Sequence, residues 1–207
     1  MTDQSAPHAG FVRLLTETVK PLVPHEDALA RLMSASRVAT VPKGMQVLRA
    51  GETATHLFHI HIGLLRYFYI DAATGYERTG QFFDEGGTVT DAASFLTGGP
   101  ATQTIDAVEE STLLIMPRAA LLRAYDEDHA IERFGRKLVE AGFLGSQRRA
   151  ANLLNLSPDD RYRHYVETRP EIVRRVPQYL LASFLGVTPE SLSRIRGRLA
   201  RPRKPRD

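Results

Sequence analysis

The sequence predicts an α+β fold: an N-terminal antiparallel β roll, a long helix, and a C-terminal helix-turn-helix. Three observations carry this. Short β-branched and aromatic runs broken by glycine and proline fill residues 37–117. A 3–4-residue apolar period takes over after Pro117. The positive charge is confined to the last third: residues 148–207 hold 14 Lys/Arg against 6 Asp/Glu, whereas residues 1–147 hold 13 against 18. That asymmetry points to a polyanion-binding module on a neutral-to-acidic partner. With 43% hydrophobic residues the 207-residue chain can bury a core. The lack of cysteine excludes disulfides, thiolate chemistry and cysteine-ligated metal clusters. MTDQSAPHAG has no signal-peptide core, and no apolar run nears the ~18 residues of a membrane span. The expectation is a cytoplasmic protein with no membrane contact.

Each element has its own signal. Phe11, Leu14, Leu15 and Val19, then Leu29, Leu32 and Met33, recur at helical spacing, interrupted by Pro21 and Pro24. From Arg37, runs at Val38–Val41, Val47–Leu48, Leu57–Ile62, Leu64–Ile70, Gln81–Phe83 and Leu113–Ile115 alternate with PKG, AGE, DAATG, EGG and TGGP turns. This is the rhythm of antiparallel strands closing into a roll. After Pro117, Ile131, Phe134, Leu138 and Ala141 step by 3, 4 and 3, the seam of a coiled coil and hence of a dimer. Ser157-Pro158 then reads as a cap and first turn of a new helix. The expected boundaries are 10–117 for the roll, 118–156 for the dimerisation helix and 157–207 for the last module.

That last module is the most specific segment. Leu181-Ala182, Gly186-Val187, Leu192 and Ile195 fall where two crossing helices and their turn need them. Ala182 is small at the crossing, and Gly186 suits a cramped turn. Thr188 is placed to cap the second helix and Pro189 to open it. On a 3.6-residue wheel Leu192, Ile195 and Leu199 form an expected buried stripe, while Glu190, Arg194, Gly197 and Arg201 lie opposite. Arginine reads guanine bidentately and glutamate accepts from cytosine's amino group. The expected DNA-contacting residues are Thr188, Pro189, Glu190, Ser191, Ser193, Arg194, Arg196, Arg198 and Arg201. Arg196, Arg198, Arg203, Lys204 and Arg206 suit phosphates.

At these residues the chain resembles the Crp/Fnr family of bacterial transcription regulators. AGE at 50–52, HLFHIHIGLLRYFY and FFDEGG resemble that family's cyclic-nucleotide-binding jelly roll. VPQYLLASFLGVTPESLSRIRGRLA resembles its DNA-reading module. The resemblance implies a homodimer on a pseudo-palindromic duplex site, RNA polymerase as a partner, a small-molecule effector of unknown identity, and Glu190 and Arg194 as base readers. Pro189 stands where the family often has arginine. Two departures matter. In VTDAASFLTGGPATQTIDA, Asp91 falls near the family's ribose-binding glutamate, and Ala101-Thr102 falls where its phosphate-clamping arginine pair belongs. A pocket at Asp91, Ala101, Thr102 and Gln103 would then hold an effector other than cyclic AMP, with Arg66 or Arg78 the nearest replacement cations. Pro202 and Pro205 also leave no strand for the family's wing hairpin.

The competing reading is a metal-binding β-barrel enzyme or sensor using His59 and His61, two apart on one strand face, with a basic localising tail. No carboxylate follows closely, as a metal barrel would want. Ser191 and Ser193 have no neighbouring His and carboxylate. Asp84-Glu85 and Glu109-Glu110 read as solvated edges, and TGGP at 97–100 lacks the lysine of a phosphate loop. The expectation is a non-enzyme without cofactor or metal.

Overall fold

A computed structural model describes residues 5–199. Helices α1 (Ser5–Val19) and α2 (Glu26–Ala35) precede eight strands: β1 (Arg37–Val41), β2 (Gln46–Leu48), β3 (His56–Ile62), β4 (Leu65–Ile70), β5 (Glu77–Phe83), β6 (Thr88–Val89), β7 (Thr104–Ala107) and β8 (Ser111–Pro117). A short helix α3 (Ala92–Thr97) interrupts them. The strands pair antiparallel in two four-stranded sheets, ordered β1-β8-β3-β6 and β2-β7-β4-β5. The all-antiparallel roll is therefore present, as the turn-punctuated runs predict. Leu57, Phe58, His59 and Ile60 are buried consecutively on β3, so the middle of this strand has no wet face. One side meets the roll interior and the other meets α1.

Helices α4 (Arg118–Glu127) and α5 (His129–Asn155) follow. Asp128 starts α5, its carboxylate accepting from the Ile131 N–H at 2.9 Å. The predicted seam divides here. Ile131 and Phe134 are fully buried in the roll's own core, Phe134 lying edge-on to Phe11 with ring centroids 5.5 Å apart. Leu138 packs partly on the same core, and Ala141 is exposed. The first half of the seam thus serves this chain's own fold, because α1 supplies the partner surface. Farther along α5, Phe143 and Leu144 are 62% and 58% exposed.

The last four helices are α6 (Pro158–Thr168), α7 (Pro170–Arg175), α8 (Gln178–Leu185) and α9 (Pro189–Leu199). Their core does not stand apart from the roll. Leu64, Phe82 and Val108 of the roll join Tyr165, Ile172, Val176, Leu181 and Phe184 in one buried cluster. Polar contacts complete the joint along β5, an edge strand whose outer hydrogen-bonding groups need partners. The Ser183 hydroxyl accepts from the Thr79 N–H at 2.9 Å and donates to the Glu77 carbonyl at 3.0 Å. Arg149 of α5 donates to the carbonyls of Thr79 at 3.1 Å and Phe184 at 2.8 Å, its guanidinium 4.1 Å from the Phe184 ring centroid.

Ion pairs flank this seam. Arg169 reaches Asp84 at 2.8 Å, and Arg175 holds both Glu85 at 2.8 Å and Glu109 at 2.5 Å. Asp84, Glu85 and Glu109 are thus anchors for the C-terminal helices, not the solvated edges their sequence suggests. The Arg175 guanidinium, aided by the Gly63 N–H, holds the Glu85 carboxyl down at about 2. Its folded value lies below the usual 4.5, so the contribution is complete above about pH 4.5 and is lost as the pH falls toward 2. Replacing Glu85 by Gln lowers the denaturant midpoint at pH 7. That gap between wild type and variant closes progressively between about pH 4.5 and 2.

Candidate nucleic-acid interface

The helix pair forms for the local reasons its sequence supplies. Ala182 is fully buried at the crossing, and its carbonyl accepts from the Val187 N–H at 3.0 Å. Gly186 turns the chain with φ +69°, a conformation that side chains with a Cβ rarely adopt. Thr188 caps α9, its Oγ1 accepting from the Ser191 N–H at 3.2 Å, and Pro189 takes the first helical position. Leu192 and Ile195 are buried against α8. Leu199 departs from the expected stripe: it is 38% exposed, because α8 has ended before the last turn of α9 can reach it.

The opposite face is open. Glu190, Ser193, Arg194 and Arg196 are exposed, and Glu190 and Arg194 stand one turn apart. Its own N–H and the Thr188 hydroxyl hold the Glu190 carboxyl below the usual carboxylate range, so it is an obligate acceptor at neutral pH. Among the described residues Arg194 hydrogen-bonds only to the Ser191 hydroxyl, at 3.3 Å, which leaves most of its fork for an external acceptor. Ser191 is half-buried and joins Thr188 at the helix start. Arg198 is different: it lies in a fork with Asp159 of α6. Arg201, Arg203, Lys204 and Arg206, together with the expected absence of a wing, lie outside the described residues.

Of Asp91, Ala101, Thr102 and Gln103, the structure joins Asp91 directly to Thr102, and the other two find partners elsewhere. Asp91 is buried; one carboxylate oxygen accepts from the Ser94 N–H at 2.9 Å, capping α3. The other accepts from the Thr102 N–H at 2.9 Å and its hydroxyl at 3.3 Å. Ala101 is held by backbone bonds to Gly51 and Glu52, and the Gln103 amide donates to the Thr90 carbonyl.

Neither candidate replacement cation is available. Arg66 is buried between both oxygens of Asp106, at 2.9 Å each, with Glu77 and the Thr79 hydroxyl beside them. Burial alone would lower its pKa, but the two carboxylates outweigh burial and hold it above the usual value. Arg78 pairs with Asp71. The cation that sequence reasoning missed is Arg149. It has no carboxylate partner among the described residues, and burial lowers its pKa. In sequence it is one of two adjacent arginines on a predicted helix, with nothing to mark which of them turns inward.

His59 is buried against the Phe11 ring, and desolvation lowers its pKa to about 4, so it is neutral at physiological pH. His61 is half-exposed on the same side; both imidazoles lie 3.9 Å from where a Cβ on Gly10 would sit. Among the described residues no group of three or more His, Cys, Asp or Glu has metal-holding geometry. Helix α1 packs over the histidines, and Glu17 and Glu85 line the same cleft without forming a metal-holding group with them.

Residues 38–128 match the family described as cyclic nucleotide-binding domain. A search of curated protein sequences finds no match. Among solved structures, the chain is similar to FixK2 from Bradyrhizobium japonicum (16% identity, TM-score 0.69, 79% of this chain and 84% of that one). It is similar to CLP from Xanthomonas campestris (19% identity, TM-score 0.67, 87% and 96%). It is also similar to a protein from Eubacterium rectale described as a transcriptional regulator of the Crp/Fnr family (16% identity, TM-score 0.69, 84% and 83%). At these identities the likeness is one of fold: the roll and the helices after it share the architecture of these structures. No helix of the described residues is long and apolar enough to cross a membrane.

In the roll, Ala101 and Thr102 stand where the resemblance puts a phosphate-clamping arginine pair, and the Asp91 carboxylate is taken by Ser94 and Thr102. Loss of a bidentate guanidinium from a buried phosphate site weakens binding by roughly two orders of magnitude or more. Isothermal titration with cyclic AMP and with cyclic GMP therefore shows no micromolar binding to the wild-type protein.

Proposed function

We propose that this chain is a sequence-specific, DNA-binding transcription regulator of the Crp/Fnr type, and not an enzyme. The observation that carries the reading is α9 itself. It is braced by a complete helix-turn-helix core, yet it leaves Glu190, Ser193, Arg194 and Arg196 exposed on one face. Arg194 suits a guanine edge and Glu190 a cytosine amino group; Arg196 and the tail arginines suit phosphates. The proposed division assigns 10–117 to sensing, 118–156 to dimerisation and 157–207 to DNA. Phe143 and Leu144, exposed on α5 beyond the roll, suit a second copy of the chain better than water. Two copies present two α9 helices to a pseudo-palindromic site, and RNA polymerase and a cytoplasmic location follow from that role. The effector, if cyclic AMP is excluded, is of another kind; CLP, whose fold the chain shares, is described as responsive to c-di-GMP.

Selection of bound duplexes from a random pool yields an inverted repeat with half-sites about one helical turn (~34 Å) apart. Enrichment of a single asymmetric site, or of nothing, rejects the dimeric reading. On the selected site Arg194→Ala costs about 1–3 kcal/mol and relaxes preference at one base pair per half-site, read by competition binding. Phe143→Asp together with Leu144→Asp converts the protein to monomer in sedimentation and weakens binding to the full repeat far more than to one half-site.

A further inference from the structure

We infer that Asp159 is a built-in competitor of DNA phosphate for Arg198, and so sets the balance between specific and non-specific binding. The inference rests on the reading of α9 as the DNA-facing helix.

Asp159 sits in the first turn of α6, where Ser157 caps the helix (its Oγ accepts from the Asp160 N–H at 3.2 Å) and Pro158 opens it. From there its carboxylate reaches across to α9. Arg198 donates from Nε at 3.2 Å and from Nη2 at 2.9 and 2.8 Å, a two-pronged fork. The cleft between α6 and α9, about 250 Å3, has Arg194, Arg198 and Ser191 on its wall, and Asp159 is the only carboxylate among its lining residues. The neighbouring Asp160 is engaged by Ser157 and Arg163.

An exposed ion pair that merely ties α6 to α9 would contribute little to stability. Capping of α6 does not require Asp159 either, since the Ser157 hydroxyl already serves. What the carboxylate does change is the charge of the DNA-facing rim. It pairs with Arg198 and lines the same cleft as Arg194. Two unit charges 4 Å apart in water interact by about a factor of five in an equilibrium constant. Sequence-independent binding depends on the number of cations free to meet phosphates, whereas base reading by Glu190 and Arg194 does not. An acid held on this rim therefore suppresses binding to arbitrary DNA more than binding to the cognate site.

The test compares wild type, Asp159→Asn, Arg198→Gln and the double variant on a random-sequence duplex and on the selected site, across a salt series. Asp159→Asn raises random-duplex affinity about fivefold and steepens the log–log salt slope by about 0.9, one added phosphate contact, so the specificity ratio falls. Arg198→Gln weakens random-duplex binding more in the Asp159→Asn background than in wild type and abolishes the gain there. Unchanged slopes, or equal losses from Arg198→Gln in both backgrounds, overturn the inference. Asp159→Ser, which keeps a helix-starting residue, repeats the comparison if the Asn variant melts early. Elution from immobilised heparin, a polyanion independent of any DNA function, provides a second reading. Failure of wild type to bind any duplex sinks the proposed function, while unshifted heparin elution of Asp159→Asn sinks the inference by itself.

Discussion

The position of the last helix pair depends on one residue of an edge strand. Thr79 of β5 has all of its polar groups in use by three different parts of the chain. Its hydroxyl accepts from Arg66 within the sheet, its N–H donates to Ser183 of α8, and its carbonyl accepts from Arg149 of α5. An edge strand must satisfy its outer N–H and C=O groups or leave them to water and to other chains. Here the first helix of the helix-turn-helix does so, which fixes α8, and through the Ala182 crossing α9, relative to the roll. Phe184 adds the apolar half of the joint, packed on Phe82, Tyr165 and the Arg149 guanidinium.

Charge is organised by the same joint. The acidic excess of residues 1–147 and the basic excess of residues 148–207 are partly complementary surfaces of one molecule. Arg169 and Arg175 meet Asp84, Glu85 and Glu109 across it. Arg161 is turned inward to the carbonyls of Leu156 and Leu185. The cations that remain for an external polyanion are fewer than the composition suggests, and among the described residues of α9 they are Arg194 and Arg196. A polyanion thus meets a short cationic face framed by acids, which favours docking in one place over diffuse attraction.

The roll holds its polar residues in hydrogen bonds of its own. Asp91 turns its carboxylate to the start of α3 and to Thr102, and Arg66 is locked between Asp106 and Glu77. Both groups are charged and largely removed from water, so each is held by its partners at a cost that a newly arriving ligand would have to meet. His59, neutral and packed on Phe11, belongs to the same dry interior.

Local patterns were sufficient for much of this. Short β-branched and aromatic runs with glycine turns specify antiparallel strands, and Thr188-Pro189 after Gly186 specifies a cap, a first turn and the bend before them. The spacing of Leu192 and Ile195 specifies the buried side of α9, and with it the exposure of Glu190 and Arg194. These are short-range facts, decided within a few residues by backbone geometry and side-chain shape. Partner choice is not short-range. Nothing in the spacing of Ile131 and Phe134 distinguishes α1 of the same chain from a second copy as their cover. Nothing near Arg149, Arg175 or Arg198 distinguishes a guanidinium facing a carbonyl or carboxylate from one facing solvent. Those outcomes rest on residues 39–103 positions away in sequence, such as Asp128 for His25, Glu85 for Arg175 and Asp159 for Arg198. Only the packing of the roll against the last four helices brings them within a hydrogen bond. The sequence by itself determined which elements form and which side of α9 is apolar; the tertiary structure decided which charges remain free, because pairing depends on distance in space.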